Sequence, residues 1–333
     1  MGRVRIGDVA EKAGVSRTTV SFVLNDTGSV GAETRQRVLG VIRELGYEPS
    51  AMARGMRTRR TRTAGVLVPD LFGPYFFSLF AGVEEALARE GYVCFLGNAE
   101  EDGAREDRYL RSLLGWRVDG LILAPLVGVG RTLLEPLVQD ELPLVFVDRG
   151  PEVLGLAPDA YPSVCTACSE AAREATAHLL AMSTGPVALV SPEMPSGPIW
   201  LRRQGYLEAV RAAGQAPVEA IAAGDSRALG QALAGRLLDE ARRPAAIFAA
   251  TNPCGLGAYL ALRERGLRCP EDVRLVVFDD ADWAEVAGVS AVRTDPYRIG
   301  MTAATAWLRL LEGQSLAEER VTIPARLVRR NSS

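Results

Sequence analysis

One stretch near the N-terminus, residues 6–25, reads IGDVAEKAGVSRTTVSFVLN and decides the fold of the first part of the chain. Its first eight residues place apolar side chains at a helical spacing, and the Gly14 that follows them is a residue that ends helices. Ser16 is a helix-capping residue and therefore predicts a second helix over residues 17–24. Two short helices joined by a tight turn predict a helix-turn-helix, whose second helix fits the major groove of DNA.

The sequence on either side of this stretch agrees with a compact basic unit. Apolar residues on one face predict a third helix from about Glu33 to Leu45, ended by Gly46. Residues 1–62 contain twelve basic and six acidic residues, a net charge of +6, whereas the whole chain has a net charge of −3. The rest of the chain therefore carries −9. A small basic unit joined to a large acidic one is typical of a protein that binds nucleic acid through one end.

The overall composition is that of a globular protein. The 333 residues are 48% hydrophobic and 24% charged, a length that suggests two or three domains. No stretch approaches the roughly 20 apolar residues of a membrane helix, and charged residues interrupt the position where a signal peptide has its apolar segment. We expect a cytoplasmic protein without a membrane partner, in which the five cysteines are free thiols.

Beyond residue 63, short apolar runs alternate with predicted helices, one of which spans residues 131–140. The candidate strands form two series, at 64–69, 93–97, 120–124 and 144–148, and at 187–190, 218–222, 246–249 and 274–278. This alternation predicts an α/β fold with two doubly wound parallel-sheet subdomains. Ligands are expected at the carboxyl ends of the strands.

Enzyme motifs do not account for this sequence. The first candidate strand is not followed by a phosphate-binding Gly-x-Gly-x-x-Gly loop, and the chain has no Gly-x-Ser-x-Gly nucleophile motif. Its one histidine, His178, lies in an amphipathic helical stretch without a paired nucleophile, which favours a structural role. We therefore expect a protein that is not an enzyme and that needs no cofactor.

Several motifs together resemble the headpiece of the LacI/GalR family of bacterial transcription regulators. They are IGDVA (6–10), AGVSRTTVS (13–21), VLN (23–25) and LGYEP (45–49), and the likeness continues through AMARGMR (51–57) to the C-terminus. The resemblance implies a helix-turn-helix DNA-binding headpiece followed by a core that is similar to periplasmic binding proteins. It also implies a repressor that binds operator DNA and a small-molecule effector.

The resemblance implies a division of the chain, with crossings between the core subdomains near Pro162, Thr294 and Val321. The segments are a headpiece (1–49), a hinge helix and linker (50–63), a core N-subdomain (64–161 and 294–320) and a core C-subdomain (162–293 and 321–333). Because little sequence follows the last predicted strand, we expect a homodimer on a pseudo-palindromic operator and no tetramerising helix.

The resemblance also implies which residues contact DNA. Arg17 and Thr18 begin the recognition helix and would reach base edges, where arginine can bind guanine with two hydrogen bonds. The hinge would enter the minor groove, with Met56 as an apolar wedge. The full set of DNA-binding candidates is Ser16, Arg17, Thr18, Thr19, Ser21, Phe22, Asn25, Tyr47, Ala53, Arg54 and Met56.

One of these positions departs from the family pattern. Position 22 is usually arginine in the family, but this chain has Phe22, which cannot donate a hydrogen bond. Either the ring contacts a thymine methyl group or the reading of that base pair is lost. Alternatively, Phe22 only packs against the headpiece.

The resemblance places an effector site in a cleft between the core subdomains. Its candidate residues are Tyr75, Phe76, Asp148, Arg149, Arg202, Asn252 and Asp279. Asp279 follows a predicted strand, so its carboxylate is either a ligand group or a helix cap, and we favour the ligand group. The two arginines lead us to expect a cleft whose charge is positive on balance.

Departures from the family pattern alter the expected effector. The family's Asp-Asn pair is Ala167-Cys168 here, its Asn-Asp pair is Asn252-Pro253, and Ser226 replaces a stacking aromatic residue. The loss of two acids and one ring weakens the case for a sugar. We therefore expect a less polar or anionic effector, although sugars are the commonest ligands of the family.

Three alternatives stay open at this stage. Cys165, Cys168 and Cys254 fall near the cleft, where they are either small apolar fillers or, as a hypothesis, a thiol or metal sensor. The core is shared with solute-binding modules, although these have an export signal and no basic helix-turn-helix. The missing acids also allow a repressor whose degenerate cleft binds no effector.

Overall fold

The computed structural model describes the chain as two compact units that divide between Arg62 and Thr63. The described residues are 4–47, 60–71, 73–126, 134, 142–316 and 320–333. Apart from Leu134, the helix expected over residues 131–140 lies outside them, and so does the expected hinge helix of residues 50–57.

The N-terminal unit contains the predicted helix-turn-helix, which the structure confirms. Its helices are α1 (Ile6–Ala13), α2 (Arg17–Asn25) and α3 (Ala32–Leu45). Gly14 ends α1 with a φ of 64°, a left-handed conformation that favours glycine, and Ser16 caps α2. Val9, Val20 and Val38 contribute one fully buried side chain from each helix. The local signals of the sequence thus suffice to specify this unit.

The second unit is built on two six-stranded sheets. The first has the order β11-β5-β4-β3-β1-β2 and the second the order β12-β10-β9-β8-β6-β7. All pairings are parallel except that of β12 with β10. The strands are β1 (Thr63–Val68), β2 (Val93–Asn98), β3 (Leu121–Leu123), β4 (Leu144–Val147), β5 (Ser163–Thr166), β6 (Val187–Pro192), β7 (Val218–Ala222), β8 (Ala246–Ala249), β9 (Arg274–Phe278), β10 (Ser290–Arg293), β11 (Arg320–Ile323) and β12 (Arg326–Val328).

Helices cover both faces of each sheet, as the strand–helix alternation predicts. The helices are α4 (Pro74–Arg89), α5 (Gly103–Gly115), α6 (Cys168–Met182), α7 (Gly197–Ala212), α8 (Arg227–Asp239), α9 (Asn252–Glu264), α10 (Asp282–Val286) and α11 (Pro296–Leu311). Within the described part of the chain, no helix has the length and apolar content to cross a membrane.

Two predicted subdomain boundaries are wrong by a few residues. Strand β5 pairs with β4, so the chain leaves the first sheet after Thr166 and not at Pro162. Strand β11 pairs with β5, so the last crossing follows Ile323 and does not precede Val321. Both strands are four residues long with polar positions, so the sequence pattern alone does not mark them as strands of the first sheet.

The wall of the first subdomain depends on a close contact between α4 and α11. A Cβ atom on Gly82 would collide with the backbone oxygen of Tyr297, and one on Gly300 would collide with that of Leu79. Glycine at these two positions therefore lets the helix backbones touch. The contact fixes α4, whose first turn carries Tyr75.

A buried carboxyl group on α5 predicts how stability depends on pH. Glu106 is 1% exposed, and one of its oxygens accepts the Leu126 N–H at 2.9 Å. Its other oxygen has no hydrogen-bond partner among the described residues, and burial raises the pKa of Glu106 from 4.5 to about 7. The folded state therefore holds this proton more tightly than the unfolded chain, so the contribution of Glu106 to stability is lost as the pH rises from about 4.5 through 7.

Glu106→Gln should remove this dependence. We expect the variant to gain about 2–3 kcal/mol of unfolding free energy over the wild type at pH 8 and little at pH 4.5. Urea titrations at a series of pH values measure the difference. Asp107→Asn is the control, since Asp107 pairs with Arg111 at the surface of α5. Equal urea curves for the wild type and Glu106→Gln at pH 8 would contradict a raised pKa of Glu106.

Candidate functional site

A cavity of about 400 Å³ lies between the two sheets, at the carboxyl ends of their strands. Asp70, Asp148, Asp225, Thr251 and Asp279 each follow one of the strands and line it. This is where a doubly wound fold places ligands. All seven cleft residues named from the sequence line the cavity: Tyr75, Phe76, Asp148, Arg149, Arg202, Asn252 and Asp279.

The first-subdomain side of the cavity is organised around Asp148. The Tyr75 hydroxyl donates to Asp148 Oδ1 at 2.7 Å, and the Asp148 carboxyl is buried. Burial raises the pKa of Asp148 above its usual value and also raises that of Tyr75. Asp148 has a φ of 60°, an uncommon conformation for a residue other than glycine, and such conformations are typical of functional sites. The ring of Phe76 meets that of Tyr75 edge to face at 5.1 Å.

The second-subdomain side is organised around Arg202, which is 5% exposed. Its Nη1 donates to the Ala250 carbonyl at 2.9 Å and lies 3.5 Å from Asp279 Oδ2, and its guanidinium carbon lies 3.8 Å from the centre of the Phe278 ring. Burial, the largest single effect, would lower the pKa of Arg202, but Asp279, Asp148 and Cys168 together outweigh it and the pKa is raised. Asp279 also accepts the Thr294 hydroxyl at 3.2 Å.

Arg149 and Asn252 have their polar atoms engaged by the protein. Arg149 Nη2 lies 2.6 Å from Glu101 Oε1, and Nη1 lies 3.3 Å from Oε2, a two-point ion pair. The Asn252 amide oxygen accepts the indole N–H of Trp283. A ligand could therefore bind the Arg149 guanidinium or the Asn252 amide oxygen only in competition with these bonds.

The expectation of a positive cleft is wrong. Among the described residues, six acidic ones line the cavity against three arginines, and each arginine has a carboxylate partner within 4 Å. The expectation was based on Arg149 and Arg202 alone and missed partners that come from distant loops. The pairs are Arg149–Glu101, Arg202–Asp279 and Arg293–Asp280.

Sequence reasoning also missed Asp225. Its Oδ1 accepts the Thr251 hydroxyl at 2.8 Å and the Cys254 thiol at 3.7 Å, and burial raises the pKa of Asp225. Asp225 follows β7 after a glycine, so the reasoning that selected Asp279 at the end of β9 would have found it. Among the described residues, neither Asp148 nor Asp225 has an ion-pair partner within 4 Å.

The cysteines near the cleft lie in apolar packing. Cys165, Cys168 and Cys254 are free and buried. Burial raises the pKa of Cys168 to about 11 and that of Cys254 to about 12, so these thiols stay protonated at neutral pH. The described residues contain no group of three or more His, Cys, Asp or Glu residues that could hold a metal ion, which contradicts the metal-sensor hypothesis.

In the N-terminal unit, α2 exposes Arg17, Thr18 and Phe22. The Arg17 guanidinium lies beside α1, where a Cβ on Gly7 would come within 3.2 Å of Nη2. A base contact by Arg17 would require this side chain to swing away from α1. The exposed side chains of Arg17, Thr18 and Phe22 are compatible with contacts to base edges.

Four other DNA-binding candidates have contacts within the unit, namely Ser16, Thr19, Asn25 and Tyr47. Ser16 Oγ accepts the Thr19 N–H at 3.0 Å and lies 2.9 Å from Thr19 Oγ1. Asn25 Nδ2 donates to the carbonyl of Ser21, and Tyr47 packs partly against the three-helix core. Three further DNA-binding candidates lie outside the described residues, namely Ala53, Arg54 and Met56.

Comparisons with known proteins agree with both units. Residues 5–50 match the family "Bacterial regulatory proteins, lacI family", and residues 176–333 match a periplasmic binding protein-like domain. A transcriptional repressor, PurR from Aliivibrio fischeri, is 33% identical over 90% of this chain and 89% of its own length. PurR from Pasteurella multocida is 31% identical over 96% and 94% of the two chains.

Solved structures extend the likeness to the whole chain. A Lac repressor dimer bound to operator and the anti-inducer ONPF has a TM-score of 0.86 and 26% identity, with 99% of each chain covered. The complex of the transcriptional regulator CelR with cellobiose has a TM-score of 0.72 and 29% identity, over 99% of this chain and 100% of CelR. The chain therefore belongs to the LacI family of bacterial transcription regulators.

Proposed function

We propose that this protein is a repressor that binds operator DNA as a homodimer in the cytoplasm and responds to a small molecule in its cleft. The observation that carries the proposal is the cavity of about 400 Å³, lined by all seven residues that the sequence assigned to an effector site. Small-molecule sites have volumes of this order. The headpiece supports the proposed DNA binding, because α2 presents exposed side chains suited to a major groove.

Two alternatives are less well supported. A solute-binding module would share the core, but it would have no use for a basic helix-turn-helix. A repressor without an effector would not need the buried carboxyl group of Asp148 in the wall of a cavity, since burying a polar group destabilises the fold unless a partner compensates for it. The Lac repressor structure described above is a dimer on operator DNA, and this likeness supports a homodimer here.

The charges in the cavity favour an effector that donates hydrogen bonds. The lining arginines are paired with carboxylates, so an anion would have to displace one of these pairs. Asp148 is buried and Asp225 is exposed, and their carboxyl groups line the cavity from opposite subdomains without an ion-pair partner within 4 Å among the described residues. Hydroxyl or amine groups of a ligand would satisfy them. We therefore propose a neutral or cationic effector rich in donors, in place of the anionic one expected from the sequence.

A thermal-shift screen of the full chain tests this proposal. The panel holds sugars, nucleosides and amines on one side and organic acids and phosphates on the other. We expect a donor-rich compound to raise Tm by about 5–10 °C at roughly 100 times its Kd. Asp148→Asn and Asp225→Asn should each weaken that binding by about tenfold or more.

Glu84→Gln, an exposed change on α4, is the matched control and should leave binding unchanged. Stabilisation by anions alone would contradict the proposed effector class. A panel that shifts nothing would contradict an effector site and favour the repressor with a degenerate cleft.

A further inference from the structure

Phe22 is an exposed aromatic side chain on an otherwise polar helix face. Its neighbours Val20 and Val23 are 0% and 5% exposed and form the buried side of α2, whereas Phe22 is 38% exposed. Thr18 is also exposed and lies one helical turn before it, so the two side chains share a face. The packing core of the unit therefore does not account for this ring.

The turn after α2 holds the ring in place. A Cβ atom on Gly28 would lie 2.9 Å from the Phe22 ring, and Gly28 has a φ of 74°, so both space and backbone conformation favour glycine there. The Thr27 N–H donates to the Phe22 carbonyl at 3.0 Å, and Asp26 pairs with Arg35 at 2.5 Å. One face of the ring thus rests on an ordered turn while part of the ring stays accessible. A ring held this way loses little rotamer freedom when it binds.

The chemistry of the ring restricts what it can recognise in a major groove. Phenylalanine has no polar hydrogen-bonding group, and base edges there present donors and acceptors together with one apolar group, the C5-methyl of thymine. We infer that Phe22 contacts a thymine methyl group in each operator half-site and that Gly28 is the residue that positions its ring. This inference rests on the proposed function, because it requires α2 to enter the major groove.

The test begins with DNA selected from a random pool by the full chain. Each thymine of the selected half-site is then replaced in turn by deoxyuridine, which lacks only the methyl group. We expect one thymine position in the half-site to be sensitive. Its replacement in one half-site should weaken binding about fourfold, and its replacement in both half-sites should weaken binding about fifteenfold. Phe22→Ala should bind wild-type and deoxyuridine operators equally, and Phe22→Leu should keep part of the difference.

Gly28→Ala separates a role of Gly28 in positioning the Phe22 ring from a role in folding alone, through the ratio of the affinities for thymine and deoxyuridine operators. Displacing the ring should lower the ratio of thymine to deoxyuridine affinity, whereas a general loss of folding would weaken both and leave the ratio unchanged. Thr27→Ala, a change of an exposed residue in the same turn, should keep the wild-type ratio.

Two results would overturn the inference. One is a wild-type affinity that no deoxyuridine replacement changes, and the other is a methyl effect that persists in Phe22→Ala. If the full chain selects no DNA sequence, the proposed function itself fails, and the thymine contact fails with it.

Discussion

Arg202→Ala is expected to lower the free energy of unfolding by about 3–5 kcal/mol at neutral pH and to abolish the response to a cleft ligand. Arg202 is 5% exposed and lies close to Asp279, and removing its guanidinium leaves that carboxylate without its cation in a cavity that is also lined by the buried Asp148 and by Asp225. Urea denaturation measures the stability, and a thermal shift with the ligand found by screening measures the response.

The matched control is Arg203→Ala, on the same helix. Arg203 pairs with Glu219 at 2.6 Å, but its side chain is 39% exposed, so the loss should be below about 1 kcal/mol. The deficit of Arg202→Ala should also shrink as the pH falls, because burial already holds the pKa of Asp148 and Asp225 above the usual value and protonation removes their charge. An Arg202→Ala protein as stable as Arg203→Ala would contradict this description of the cleft.

Arg17→Ala is expected to weaken binding to the selected operator by about 1–3 kcal/mol and to relax specificity at one base pair. Arg17 is exposed at the start of α2, and an arginine at that position can read guanine through two hydrogen bonds. Affinities for operators that differ only at single base pairs, measured by fluorescence anisotropy at fixed salt, give the result.

Arg43→Ala, an exposed change near the end of α3, is the control and should leave base-pair preferences unchanged. Equal weakening by Arg17→Ala on every sequence would mean that Arg17 contacts phosphate, since phosphate contacts carry no sequence information.

The headpiece could be predicted in detail because its signals are local. Gly14, Ser16 and Gly46 mark helix ends through their own backbone and side-chain preferences, and each mark agrees with the structure. In the core, the strands with strong apolar runs could be predicted because an apolar run is also a local signal. Strands β5 and β11 changed the subdomain boundaries because both are short and contain polar residues, and because β11 joins the sheet by pairing with β5 across more than 150 residues of sequence.

The cleft residues could be placed, but their partners could not. The rule that ligands lie at the carboxyl ends of strands located Asp148 and Asp279 from the sequence. It did not reveal that Arg149 is bound by Glu101, 48 residues away, and this ion pair helps to reverse the expected charge of the cavity. Side-chain pairing of this kind depends on the folded geometry, which spacing alone does not specify.

Occupation of the cleft by a ligand is expected to change DNA binding. The direct measurement is the affinity of the full chain for its selected operator, at one salt concentration, with and without a saturating cleft ligand. We expect the ligand to change this affinity by about tenfold or more, which corresponds to about 1.4 kcal/mol of coupling, and we expect Arg202→Ala to lack the change. Equal operator affinities with and without bound ligand would contradict it.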